Sequence, residues 1–305
     1  MYREPCFDLS REEISKARLR YPRSTSRAEL NAVLKKLGIR PGMQIAVHSS
    51  LASLGDFEGG AQGVCRELME LITDQGTLMM PALVKYPASG EEYCYEVLKS
   101  PVKVGAIPEN FRQMPGVVRS WDPTHSFCVW GRDKEYFVRD HHLVPTMHRR
   151  SPLGLLELAG GYCLMIGCKL TVTFMHVVEM SRRVPCLGAR TEAYPAILPD
   201  GRRVNLRGWS WRSTPCRADD FDMMYQYMQE KDTLAEAMLG NCHLRFFKLS
   251  DFREAYEVRL NDPDVGCANC PSRPRQVAQC VASDWDHAGD AMLPDSGAFT
   301  GDWYN

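Results

Sequence analysis

Three residues spaced by three, Thr173, His176 and Glu179, follow a short apolar run and would share one face of a helix. A carboxylate beside an imidazole orients the ring and stabilises its protonated form, which suits a general base. The same spacing also suits a half-buried His–Glu pair that serves only the fold. A second group is Arg119-Ser120-Trp121-Asp122-Pro123-Thr124-His125-Ser126. Its Arg, serines and His125 could hold an anion beside an imidazole, or Asp122-Pro123 could simply cap a turn. A third is His48-Ser49-Ser50-Leu51, followed by Gly55 and Gly59-Gly60. Small hydroxyls and free backbone N–H groups there suit a phosphate or a thioester carbonyl, the plain alternative being a polar connection with His48 buried. Cys267 and Cys270 form a Cys-x-x-Cys with Cys280 and His287 downstream, but a zinc site needs a second close pair. Ordinary thiols and no metal are therefore expected. His141, His142 and His148 are too irregularly placed for a ligand set and read as a solvated loop.

These groups need a scaffold. The segment 43–48 is a short apolar strand, 63–72 an amphipathic helix and 76–81 a second apolar strand. Strand, helix and strand with short joins make a βαβ unit with parallel, covered strands. Upstream, Ser26 caps a helix that Gly38 ends. Further on, 108–112 is a short helix, and 117–121 and 126–130 are strand pieces split by Asp122-Pro123. The run 161–168 is apolar and glycine-bounded, a buried strand, and a helix starts near Thr173. Residues 186–215 hold a hairpin turning at Pro199-Asp200-Gly201. Residues 219–238 read as helix, 244–248 as strand and 252–259 as helix. The fold class is α/β, with a mixed central sheet sandwiched by helices and the site at strand ends. Residues 1–262 form one domain, and 263–305 a Cys/Pro/Arg-marked extension rather than a second domain.

Composition narrows the function. With 305 residues, 44% of them hydrophobic and 25% charged, the chain can bury a large core. Thirty-seven basic residues against 38 acidic ones leave a net charge of −1, which excludes a whole-protein electrostatic grip on nucleic acid. No run of about 18 apolar residues suggests a membrane span, and the opening residues do not read as a secretory signal. A cytoplasmic location is expected, with most of the 12 cysteines reduced.

Taken in order, the motifs resemble the aminoglycoside 3-N-acetyltransferase family, the antibiotic acetyltransferases distinct in fold from the GNAT enzymes. The series is His48-Ser-Ser-Leu51 with Gly55 and Gly59-Gly60; Gly76-Thr-Leu-Met-Met-Pro81; Gly105 with Phe111-Arg112 and Pro115-Gly116; Arg119-Ser120 with Pro123 and Ser126; Ser151-Pro152-Leu153; and Gly167 before Thr173-x-x-His176-x-x-Glu179. It covers residues 25–260. The resemblance implies transfer of an acetyl group from acetyl-CoA to an amine of an aminoglycoside or amino sugar, and hence antibiotic resistance as one role. It implies direct attack, with His176 as base and Glu179 as its orienting partner. Coenzyme A would lie along His48, Ser49, Ser50 and Leu51 and along Arg119, Ser120 and Ser126, with the Ser49–Leu51 turn facing the oxyanion.

One position departs from the pattern: many relatives carry His where this chain has Asp122, and His125 three residues on is not in the same backbone place. Thr173, His125, Asp122, Trp209 and Trp211 are the candidate acceptor contacts. The insert 200–217 has five Arg against one Asp, whereas polycationic aminoglycosides call for carboxylates. An anionic or nucleotide-linked amino sugar is therefore the expected acceptor. Alternatives are another acyl donor, an oxygen acceptor, or a non-catalytic binding or redox protein using the Cys-x-x-Cys. A homodimer is compatible with the sequence, which leaves the oligomeric state open.

Overall fold

The apolar run Gln44–Ser49 (β1) lies mid-sheet, with strands on both sides and helices over both faces. The computed structural model describes residues 24–84, 93–168, 172–182, 184, 193–208, 216, 218–267 and 292–293. Around β1 stand Thr77–Pro81 (β2), Val118–Arg119 (β3), Phe127–Gly131 (β4), Tyr162–Ile166 (β5), Ala235–Leu239 (β6) and Cys242–Lys248 (β7). Their order is β6-β7-β5-β1-β2-β4-β3. β1 runs parallel to β2 and β5, and the outer neighbours pair antiparallel. This is the mixed sheet that the sequence implies.

Helices Arg27–Lys36 (α1), Gly60–Ile72 (α2) and Ala106–Arg112 (α3) cover one face, and Lys134–Val138 (α4), Pro152–Leu158 (α5), Met175–Ser181 (α6), Phe221–Glu230 (α7) and Leu249–Asn261 (α8) the other. Strand alternation sorts the core. Ile45 and Val47 pack with Leu30, Leu34, Val64 and Leu68, while Ala46, Met79 and Met165 pack with Val177, Val178 and Phe252. Each fully buried Leu or Val contributes roughly 1.5–3 kcal/mol, so both faces are strongly held.

Local chemistry explains the boundaries. Ser26 and Glu29 form a full capping box at the start of α1. Gly63 sits where a Cβ would come 2.1 Å from the Glu58 carbonyl oxygen, so α2 can pack there only with glycine. The predicted helix over 219–238 ends early, at Glu230. Asp232 takes a left-handed φ of 56°, and its N–H and that of Thr233 close back onto Gln229 and Met228. The following Ala-Glu-Ala-Met-Leu, a helix-prone set of residues, instead forms edge strand β6, paired with β7 across Gly240-Asn241. Cross-strand pairing outweighs intrinsic propensity here.

A small second sheet joins Tyr95–Glu96, Tyr194–Ile197, Arg203–Leu206 and Met292–Leu293. The hairpin turns where Gly201 N–H donates to the Leu198 carbonyl. Tyr95, Val97, Leu206 and Trp121 form its core, which fixes it against the segment after β3.

Candidate active site

Helix α6 begins just after the turn that follows β5, and it sets His176 and Glu179 one turn apart. His176 Nδ1 lies 2.6 Å from Glu179 Oε2. The Glu179 side chain is 1% exposed and that of His176 13%, so the carboxylate is buried behind a ring that is partly exposed. An ionised carboxylate only accepts, so Nδ1 carries the proton and proton transfer falls to Nε2. Thr173 is not on the face of α6. It lies in the preceding turn, where its carbonyl accepts the His176 N–H at 3.1 Å.

Two residues that spacing did not suggest complete this group. The Tyr256 hydroxyl, from α8, lies 2.8 Å from Glu179 Oε1 and 2.8 Å from Asp219 Oδ1. Tyr256 is fully buried, and its periodicity with Phe252 marks it as core, but its partnership spans 77 positions and leaves no local trace.

The segment between β3 and β4 is a buried polar knot. Arg119 is 5% exposed, and its guanidinium donates to Ser126 Oγ and to the carbonyls of Ala82, Ser100 and Val97. Ser126 Oγ donates to the Ala82 carbonyl, and Ser120 Oγ accepts the Phe127 N–H and meets His141 Nδ1. Arg119, Ser120 and Ser126 thus spend these polar groups inside the fold. Asp122 is likewise committed: Oδ1 accepts the N–H groups of Thr124 and His125 and the Thr124 hydroxyl, and Oδ2 accepts Thr146 Oγ1. It caps the turn that follows it. Burial opposes its charge, yet His141, His125 and those hydrogen bonds prevail and lower its pKa.

His125 Nδ1 meets Thr124 Oγ1 at 3.1 Å. Burial pushes the His125 pKa down to about 3, against the pull of Asp122 and with His176 and His141 adding to the fall. His141, His142 and His148 are also buried, contrary to the solvated loop expected of them. His141 is clasped between Ser120 Oγ and the Thr146 carbonyl, each at 2.8 Å.

At the end of β1, His48 is buried, and burial lowers its pKa to about 4. A single 3-10 turn, Leu51–Leu54, follows. Ser50 N–H is taken by the Ile166 carbonyl at 2.8 Å, which removes it from oxyanion duty. Ser49 Oγ is buried and has no hydrogen-bond partner among the described residues. Ser53 Oγ locks the turn to the Ser50 carbonyl and touches Cys242 Sγ.

Trp209, Trp211, Cys270, Cys280 and His287 lie outside the described residues. Gly208 is described, and a Cβ there would come 2.5 Å from Thr124 Oγ1, so the chain leaving the hairpin abuts the His125 turn. Asp200 and Arg202 of the hairpin pair with each other at 2.7 Å. Among the described residues, no group of three or more His, Cys, Asp or Glu could hold a metal, and no helix is long and apolar enough to cross a membrane.

The chain is thus a mixed α/β sandwich with a carboxylate-backed imidazole on the helix that follows a central parallel strand. The aminoglycoside 3-N-acetyltransferase family model matches residues 46–261, and the chain belongs to that family. It is an N-acetyltransferase. The SPbeta prophage-derived aminoglycoside N(3')-acetyltransferase-like protein YokD of Bacillus subtilis is 27% identical over 76% of this chain and 92% of its own length. Its crystal structure superposes with a TM-score of 0.68 over 82% of this chain and 98% of that one, at 26% identity. Aminoglycoside N(3)-acetyltransferase IV of Salmonella sp is 27% identical over 74% of this chain and 83% of its length. A structure described as AAC-IIIb binary with CoASH shares the fold, with a TM-score of 0.66 over 77% of this chain and 95% of that one, at 22% identity.

Proposed function

We propose that this enzyme moves the acetyl group of acetyl-CoA onto an amine of an aminoglycoside or a related amino sugar, by direct attack with His176 as general base. The observation that carries this reading is the 2.6 Å contact between His176 Nδ1 and the buried Glu179 carboxylate. It fixes the tautomer, orients the ring and favours the imidazolium as the proton arrives. A sugar amine is mostly an ammonium near neutral pH and sheds a proton before it attacks. As nitrogen bonds to the thioester carbon, a second proton leaves nitrogen for His176 Nε2. Collapse of the tetrahedral intermediate breaks the carbon–sulfur bond, and the thiolate takes up a proton as coenzyme A departs. The orphaned Ser49 Oγ and the first N–H groups of the 3-10 turn after it are the donors this reading offers to the thioester end of acetyl-CoA. The enzyme would act in the cytoplasm, where acetyl-CoA is made.

Thiol release from acetyl-CoA, measured with aminoglycosides, nucleotide-linked amino sugars and simple amines, tests both acceptor and chemistry. His176→Ala is expected to lower turnover by about 10²–10⁴-fold while coenzyme A binding persists. Turnover at the native rate in that variant would overturn the assignment. Activity confined to anionic amino sugars would move the acceptor away from the aminoglycosides and toward the charge of the hairpin.

A further inference from the structure

Arg119, Asp122 and His141 are buried polar groups held by partners that the fold itself supplies. His48 is different. The residue is 7% exposed, and among the described residues its ring has no hydrogen bond, ion pair or ring contact. Burial alone acts on its basicity, with no charge or hydrogen bond beside it. Ser49 Oγ and His142 Nδ1 are closed off from solvent without a partner, but neither His48 nitrogen is. The polar edge of the ring therefore opens on space that a ligand or water can fill. An imidazole so placed costs stability, because no protein partner replaces its lost hydration. An apolar side chain would serve the fold better, which is the mark of a group kept for function.

Its position points to which function. His48 is the penultimate residue of β1 and stands opposite Met165 of β5, the adjacent parallel strand. It follows Ala46 on the sheet face that α6 covers, two residues nearer the carboxyl end. β5 ends at Ile166, and after Gly167 the chain leads to α6 and His176. The two imidazoles thus belong to one face and one end of the sheet. The crevice outside the carboxyl ends of parallel strands is where such sheets take their ligands.

We propose that His48 is a second catalytic imidazole, which donates its ring N–H to the carbonyl oxygen of the acetyl-CoA thioester. As the amine nitrogen bonds to the carbonyl carbon, that oxygen takes up negative charge. A donor already in place stabilises the charge more than it stabilises the ground-state carbonyl. When the intermediate collapses, the carbon–oxygen double bond is restored, the carbon–sulfur bond breaks, and the His48 proton stays on its ring. An imidazole that burial keeps uncharged has one donor nitrogen and is a poor base, so it does not compete with His176 for the proton of the amine. The inference rests on the acetyl-CoA reading above and deepens it: His176 takes the proton and His48 meets the charge.

The test needs no acceptor. Acetyl-CoA carrying ¹³C at the thioester carbonyl is bound to the native enzyme, and its carbonyl stretch is read by difference infrared spectroscopy. The stretch should rise in His48→Leu, which has no donor, and lie between that value and the native one in His48→Gln, which keeps an N–H. In His176→Ala it should stay at the native value. His48→Leu should also keep or raise the midpoint of urea unfolding while thiol release falls by about 10²-fold. A histidine that serves only the fold would lower the midpoint when replaced and leave the stretch unmoved. A native stretch in either folded variant, His48→Leu or His48→Gln, overturns the proposal. Failure of the native enzyme to bind acetyl-CoA would instead refute the acetyl-CoA reading itself, whereas binding with a stretch indifferent to residue 48 refutes the role of His48 alone.

Discussion

Acidification should unfold this enzyme well before its carboxylates protonate. His48, His125 and His142 are buried, and burial is the largest cause that lowers them to about 4, 3 and 4. His141 is lowered too, again chiefly by burial. In the unfolded chain a histidine titrates near pH 6.5. Above that value both states are neutral and pH has no leverage. Below it, the unfolded chain takes up protons that the fold refuses, so stability present above about pH 6.5 is lost as pH falls toward the folded pKa values. Each such histidine contributes a slope of up to about 1.4 kcal/mol per pH unit, and three together give about 4 kcal/mol per unit. Integrated from about pH 7 to about pH 5, the loss is about 5 kcal/mol, the low end of the total stability of an ordinary domain. The lowered pKa of Asp122 acts only below about pH 4 and lies outside this window. Urea unfolding followed by fluorescence across that range reads the loss directly as a shift of the midpoint. His142→Gln removes one titrating ring packed on Trp121 and should cut the slope by about a third. A midpoint that stays level between pH 7 and pH 5 would refute the burial of these rings as neutral groups.

The commitment of Arg119 to the scaffold yields a second prediction. Arg119→Lys cannot reach Ser126, Ala82 and Ser100 at once, and should cost about 3 kcal/mol of stability with coenzyme A affinity unchanged. Unaltered stability with an affinity lowered tenfold or more, seen by calorimetry, would instead make Arg119 a phosphate ligand. Gly167 links β5 to the approach of α6, with φ at 65° and a position where a Cβ would come 1.8 Å from Ser53 Oγ. Gly167→Ala should therefore cost about 3 kcal/mol in urea unfolding, and a native-like midpoint would show that the turn yields easily.

What could be seen in the sequence follows the range of the interactions involved. The βαβ unit of β1, α2 and β2 was visible because strand alternation, helix amphipathicity and glycine punctuation are all local. The His176–Glu179 pair was visible because one helical turn joins them. Strand β6 was not, since its Ala and Leu favour helix and only pairing with β7 decides otherwise. The buried histidines were hidden for a similar reason. His141 finds Ser120 across 21 positions, and a polar-looking stretch of single histidines gives no hint of the cage around it. Arg119 shows the same limit: an arginine near serines is the pattern of an anion site, and only the fold shows that Ser126 Oγ and three carbonyls are ligands of its guanidinium.

This network points to what the β3–β4 segment is for. Arg119 and Asp122 are both buried, three residues apart, and each is surrounded by neutral dipoles rather than by an opposite charge in contact. Burying an ion commonly costs several kcal/mol even after relaxation, so an apolar turn of the same shape would be the cheaper way to join two strands. What the ions provide is direction. A guanidinium fork fixes Ala82, Ser100 and Ser126 relative to one another, and the carboxylate gathers Thr124, His125 and Thr146 around a single point. Between them the His125 backbone is pinned to the Asp122 carboxylate while its ring meets the Thr124 hydroxyl. Acyl transfer to an amine gains most from groups whose orientation is set before the substrate arrives, because reorganisation during the reaction then adds little to the barrier. The two buried charges thus hold the turn that carries His125 in a single arrangement.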